Sequence, residues 1–359
     1  MRTSSTRPPL AVTWVCALGL IASSPAAAQP LFKLGAPDGT AVASFGLLSQ
    51  PTVEWDQVDG TDGSASVYAR RLRLIGGGNI GKVKFFLDSD TPNLGREMAG
   101  VRQHTTYLQD LIVTYAHRPG FQVDAGLLMV PVSYNSVQSA GSLLAIGYGS
   151  YSFVSSAPTT SKVGRDQGVQ ARGYLLGQHL EYRAGVFRGI RQIQPDAPLR
   201  TTVRVAWHAF DPQTGFFYTG TTLGKKRLLS IGASFDRQDD HSSKAVDFFC
   251  ELPVNGRDAV TLQADLIRYD GGRTLRQIPL QDTLFVESGY TWGRLDLGVY
   301  GQAAWLRSDV SADSGSWQVG AAWWMRGHRA NLKAGIGRVT RQSAPTRTQL
   351  LLQTQVFVF

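Results

Sequence analysis

Apolar and polar side chains alternate along most of the chain with a period of two. In Leu180-Glu181-Tyr182-Arg183-Ala184-Gly185-Val186 the apolar residues fall on even positions and the polar ones largely on odd positions. Val203-Arg204-Val205-Ala206-Trp207-His208 and Leu295-Asp296-Leu297-Gly298-Val299-Tyr300 repeat the pattern. Successive side chains of a strand point to opposite faces, so one face suits an apolar surrounding and the other suits water. A soluble sandwich would alternate in the same way. The spacing of the segments therefore carries more weight than any one of them.

Roughly sixteen such segments can be drawn, a count within the range of membrane β-barrels. They start near Val42, Ser66, Lys82, His104, Phe121, Asp166, Gln178, Thr201, Arg227, Lys244, Arg257, Thr283, Arg294, Gly315, His328 and Gln349. The connections alternate between short and long. Short ones include Gly76-Gly77-Gly78-Asn79, His117-Arg118-Pro119-Gly120, Leu176-Gly177, Pro253-Val254-Asn255-Gly256, Trp292-Gly293 and Arg326-Gly327, whose glycines and prolines suit tight turns. Long ones cover residues 89–103, 131–165, 269–282 and 338–348. One connection, 212–226, is long where a short one is due, and reads as an extra periplasmic segment or a strand extension. Short turns on one rim and long loops on the other predict an all-β fold: an antiparallel transmembrane barrel of about 16 strands, with short periplasmic turns and longer extracellular loops.

Other features agree with this reading. Trp305, Trp317, Trp323, Trp324 and Tyr290 lie near predicted strand ends, where interfacial aromatic girdles belong. The chain stops on Gln355-Val356-Phe357-Val358-Phe359, a strand with a terminal aromatic, resembling the assembly signal of bacterial outer-membrane proteins; Gln353 and Gln355 interrupt one of its faces. At 43% hydrophobic and 18% charged, the chain is too apolar for disorder or a coiled coil.

Residues 1–28 have the layout of a secretory signal peptide: Arg2 and Arg7, an apolar stretch over 10–23, then Ala26-Ala27-Ala28 before Gln29. Cys16 lacks the context of a lipid-attachment cysteine. Export and cleavage leave one domain, 29–359, and lower the net charge from +9 to +7, since the leader holds two arginines and no acid. Cys250 then has no disulfide partner within the chain, and reads as a small buried residue. The bacterial outer membrane is the expected location, with its lipids as neighbours.

Several segments resemble the phosphate-selective porin O and P family. They are Tyr68-Ala69-Arg70-Arg71-Leu72-Arg73-Leu74 with Val83-Lys84-Phe85-Phe86-Leu87-Asp88, and Leu108-Gln109-Asp110-Leu111-Ile112-Val113-Thr114-Tyr115 running on into Asp124-Ala125-Gly126-Leu127. Gly164-Arg165-Asp166-Gln167-Gly168-Val169-Gln170 and Leu223-Gly224-Lys225-Lys226 complete the set, and the matches keep their order from about Val67 to Phe359. The resemblance implies a 16-stranded barrel, usually trimeric, with inward-folded loops and basic residues guiding phosphate. This chain has shorter loops, and its lysines do not align with a central anion site.

Anion selectivity comes from arginines and lysines at a constriction, and the planar guanidinium suits phosphate especially. Alternation puts Arg71, Arg73, Arg172, Arg183 and Arg204 on water-facing sides, and they are the candidate anion path. A charge turned to lipid at the bilayer midplane would cost about 2–4 kcal/mol. Arg70, Arg165, Lys225 and Lys226 are further candidates. Acids such as Glu181, Asp124 and Asp265 could instead pair with these arginines and brace a loop. Residues 131–165 could be a loop folded into the pore or an external surface loop.

No catalytic site is apparent. His104, His117, His179, His208, His241 and His328 are scattered without metal-ligand spacing, and Asp239-Asp240-His241-Ser242-Ser243 reads as a hydrated loop. No metal, cofactor or nucleic-acid partner is expected. The expected function is passive diffusion of small anions, phosphate or polyphosphate, through a homotrimeric porin. The alternatives are a general or carboxylate-preferring porin and an outer-membrane barrel enzyme such as a lipase.

Overall fold

The computed structural model describes residues 30–36, 39–98, 100–154 and 163–359. The expected leader lies outside them. Twenty strands follow in chain order: β1 (Phe32–Gly35), β2 (Ala41–Val58), β3 (Ser64–Ile80), β4 (Val83–Asp90), β5 (Glu97–Met98), β6 (Val101–Arg102) and β7 (Tyr107–Arg118). Then come β8 (Phe121–Met129), β9 (Arg165–Leu175), β10 (Leu180–Phe187), β11 (Arg200–His208), β12 (Leu228–Gln238), β13 (His241–Val254) and β14 (Asp258–Asp270). The last are β15 (Gln281–Trp292), β16 (Leu297–Ser308), β17 (Ser314–Trp323), β18 (Met325–His328), β19 (Ala330–Arg341) and β20 (Ala344–Val358).

Sixteen of these close into one antiparallel barrel: β2 to β4, β7 to β17, β19 and β20. Closure gives every strand a neighbour on both sides, which is what a sheet in lipid requires. The period of two builds the wall directly. Along β11, Arg200, Thr202, Arg204, Ala206 and His208 turn inward and are buried, while Val203, Val205 and Trp207 face out. Trp305, Trp317 and Trp323 are also outward. Trp324 departs from the girdle expectation: it is buried inside, its ring against Lys333 and His328. Gln353 and Gln355 are likewise buried on the inner face of β20.

The barrel closes at a seam shared by both ends of the described chain. β2 pairs with β20 from Leu47 to Val58, and β1 takes over the same edge from Val42 to Phe45. Gly46 sits at the junction. A Cβ there would lie 2.1 Å from the Val358 carbonyl oxygen and 2.7 Å from the Phe359 Cβ. Gly46→Val is therefore expected to prevent closure, seen as loss of the fast-migrating folded band on unheated gels. Gly301→Ala, which meets nothing nearer than Val319 at 3.8 Å, should keep that band.

The two rims differ as the spacing predicts, with three departures. On one rim lie the brief turns 81–82, 119–120, 176–179, 255–257, 293–296 and 324–329; on the other lie 91–98, 100–106, 130–154, 163–164, 188–199 and 271–280. The segment 338–348, expected to be a long loop, is a hairpin with a two-residue turn at 342–343, Ser343 taking a φ of 61°. β19 and β20 run past the apolar belt there. Water on both faces removes the alternation that would mark a strand. Asp239 and Asp240 form a two-residue turn between long strands rather than part of a loop, and His241, Ser242 and Ser243 already belong to β13. Asp240 in that turn accepts from Thr274 and from the backbone N–H groups of Arg273 and Thr274, and these donors hold its carboxyl below the usual range. The third departure, 212–226, is neither a periplasmic segment nor a strand extension. It folds into the barrel.

Candidate functional site

Two segments from opposite rims fill much of the lumen. From the long-loop rim, residues 130–149 turn inward, and Tyr134, Asn135, Val137, Leu144 and Ala145 are buried. Ser133 starts the four-residue helix α1 (Tyr134–Val137) with a capping box. The Asn135 N–H donates to Asp265 at 2.9 Å, and the Gln138 side chain donates to Gln263 at 2.9 Å. Across the barrel, the Lys333 ammonium donates to the carbonyls of Leu143 at 2.6 Å and Ala145 at 2.9 Å.

From the short-turn rim, residues 209–227 rise to meet that segment. The Tyr218 N–H donates to Val137 O at 3.0 Å, and the Ser139 N–H donates to Tyr218 O at 2.9 Å. The Tyr134 ring stacks on Phe249 at 4.3 Å and on Tyr218 at 4.8 Å. Burial pushes both tyrosine phenols up, so they stay neutral donors. Tyr218 donates to Glu181 at 2.7 Å.

The candidate basic residues fall into four groups. Arg73, Arg172 and Arg165 line one hollow of about 570 Å³, bounded by β2 to β4, β7 to β9, β20 and both inward segments. Each is held by a wall carboxylate: Arg73 by Asp88 and Asp90 at 3.0 Å, Arg172 by Asp124 at 2.9 Å, and Arg165 by Asp110 at 3.0 Å. Arg183 and Arg204 belong to a second group that grips the rising segment. Arg183 pairs with Glu181 at 2.6 Å and donates to Phe216 O at 2.9 Å; Arg204 pairs with Asp247 at 2.5 Å and donates to the Tyr218 hydroxyl at 3.2 Å.

Arg70 and Arg71 form the third group, and a β-bulge creates it. Ser49 pairs with Leu72 and Pro51 with Ala69, so Arg70 and Arg71 together oppose the single residue Gln50. Pro51 has no N–H to give the ladder, and a bulge is where a mid-strand proline is tolerated. The extra residue lets two adjacent arginines reach inward. Arg71 donates to Gln50 at 2.8 Å and lies 5.3 Å from the Tyr148 ring centre, while Arg70 reaches toward Gly147. Among the described residues, neither has a carboxylate at ion-pair distance. Lys225 and Lys226 are the fourth group, exposed at the short-turn rim and away from the hollow.

The inner wall is thus a lattice of ion pairs rather than a bare positive surface. Glu181 and Asp124 brace arginines, and Asp265 braces the inward segment. Sequence reasoning missed Arg200, which pairs with Asp236 at 2.5 Å and Asp166 at 3.4 Å, and Lys333. Both were within reach of the pattern: Arg200 shares the inward parity of Arg204, and Asn331 and Lys333 alternate with Leu332 and Ala334. Aromatic rings complete the hollow, with Phe86, Phe216, Phe217, Phe357 and Phe359 around it.

A closed sixteen-stranded antiparallel barrel with an apolar belt and inward-folded segments defines an outer-membrane porin. The chain belongs to the phosphate-selective porin O and P family, which it matches over residues 52–234. No curated protein sequence matches it. Among solved structures it is similar to the high-pH form of Pseudomonas putida OprB, at 9% identity and a TM-score of 0.64, covering 88% of this chain and 94% of that one. It is also similar to an anion-selective porin from Comamonas acidovorans, at 12% identity and a TM-score of 0.61, covering 88% and 99%. The trimer form of Vibrio cholerae OmpT gives 10% identity and a TM-score of 0.54, covering 87% and 99%. At these identities the likeness speaks for the fold.

Proposed function

We propose that this porin passes small anions by passive diffusion, with phosphate or polyphosphate as the preferred solute, and carries out no covalent chemistry. The observation that carries the reading is the convergence of Arg73, Arg165 and Arg172 on one hollow, with Lys84 and Asp88 also at its lining and Asp90, Asp110 and Asp124 as further ion-pair partners of the arginines. The wall acids hold the guanidiniums in fixed orientations, and a fixed fork presented to a passing oxyanion costs little reorganisation. Arg70 and Arg71 add charge that, among the described residues, no carboxylate meets at ion-pair distance. The reading includes export by a cleaved leader, residues 1–28, a mature domain over 29–359 and a homotrimeric assembly, the last supported by the trimer described for the Vibrio cholerae protein.

A second reading is favoured by the aromatic rings of the hollow. An anion with an apolar body, such as an organic carboxylate, would meet Phe86, Phe216 and Phe217 as well as the arginines. Planar-bilayer recordings separate the two. A salt-gradient reversal potential of anionic sign is expected, with chloride current blocked by added phosphate. Block by aromatic carboxylates and none by phosphate supports the second reading. Cation preference overturns both, and ester hydrolysis without conductance would assign the barrel to an enzyme instead.

A further inference from the structure

The outer face of the barrel carries a feature that the lumen reading does not use. Lys244, Arg268, Asp282 and Arg307 lie on four successive strands, β13 to β16, and pair directly in register: Lys244 with Arg268, Arg268 with Asp282, and Asp282 with Arg307. All four point outward and are exposed. They make one row across the strands, of three cations and one anion. Arg268 and Asp282 are 3.6 Å apart, and among the described residues Lys244 and Arg307 have no ion-pair partner.

Two residues along each strand toward the short-turn rim, the row becomes apolar. Val246, Leu266, Leu284 and Trp305 are again in direct register and 38–54% exposed. The charged and apolar rows together line a hollow of about 760 Å³. A further two residues on come Phe248, Ala264, Val286 and Ala303, lining a second hollow of about 590 Å³ walled by Leu262, Trp317 and Val319. Small side chains at its centre and large ones at its edges make it a furrow that continues the first.

The charged row lies toward the long-loop rim, which faces outside in a barrel of this kind. The geometry points to a binding site for a phosphate-bearing, multiply acylated glycolipid of the outer leaflet. Its phosphates meet Lys244, Arg268 and Arg307, and its acyl chains lie in the furrow. The charge complementarity selects an anionic headgroup, and the furrow beneath selects a lipid over a free anion. A bare apolar belt would hold any lipid. Here Lys244 and Arg307, with no ion-pair partner among the described residues, stand on the long-loop side of a chain-sized groove.

Native mass spectrometry of the full-length protein in detergent tests this, with lipid A as the probe and enzymatically dephosphorylated lipid A as its control. The protein is expected to retain lipid A at least tenfold more strongly than the control, and added salt should weaken retention. The K244E/R307E variant should lose that preference, while W305A should weaken retention of both probes. A folded gel mobility in each variant shows that the barrel is intact. Equal retention of the two probes, or retention unchanged in K244E/R307E, overturns the proposal. A fall in oligomer mass in K244E/R307E with unaltered lipid retention also overturns it, and assigns this face to contact between copies of the chain.

Discussion

Replacing residues 213–220 with a short glycine-serine turn is expected to raise the single-channel conductance severalfold. This stretch rises from the short-turn rim and occupies the centre of the lumen, where Phe216 and Phe217 form part of the hollow. Its hold on the wall is strong, through Arg183 to Phe216 O and Tyr218 to Glu181. The wall does not depend on it. Arg183 keeps Glu181 and Arg204 keeps Asp247 when the stretch is gone, so no buried charge is orphaned. Current through single channels in concentrated potassium chloride measures the result. An unchanged conductance in a barrel of normal gel mobility would show that residues 213–220 do not limit the current.

Arg73→Met is expected to produce the largest combined loss, in stability and in selectivity. It leaves Asp88 and Asp90 buried on one face of β4 without the guanidinium that contacts both. Breaking a buried pair from one side costs about 3–5 kcal/mol, because the remaining charge has no partner. The unfolding temperature should fall, phosphate block should weaken and the reversal potential should move toward cations. Arg71→Met should leave stability nearly unchanged, since Arg71 contacts the Gln50 amide and the Tyr148 ring rather than a carboxylate. It should still weaken the block. The triple variant Arg73→Met/Asp88→Asn/Asp90→Asn separates the two roles. It is expected to recover much of the unfolding temperature and none of the phosphate block; full recovery of the block would reduce Arg73 to a brace.

Much of the barrel was legible in the chain because lipid enforces the alternation. Predicted strand starts such as Phe121, Thr201 and Arg257 fall within one residue of Phe121, Arg200 and Asp258. The worst start, Gln349 against Ala344, lies where β19 and β20 project beyond the apolar belt and no lipid imposes a pattern. Inward arginines were legible for the same reason. Their partners were not, because Asp88 and Arg73 on neighbouring strands, or Asp247 and Arg204 two strands apart, meet only once the register between the strands is fixed. Parity also missed the bulge at Gln50, since one inserted residue reverses the inward face between Tyr68 and Arg71. The inward path of 209–227 left no periodic trace at all; length alone marked it as unusual.

The contact between Tyr218 and the Val137–Ser139 backbone has a consequence beyond narrowing the lumen. One partner hangs from the long-loop rim and the other from the short-turn rim, and two backbone hydrogen bonds tie them together inside the barrel. Movement of either is therefore felt by the other. The two rims are thus joined through the lumen as well as through the wall, and displacing one segment strains the bonds that hold it to the other.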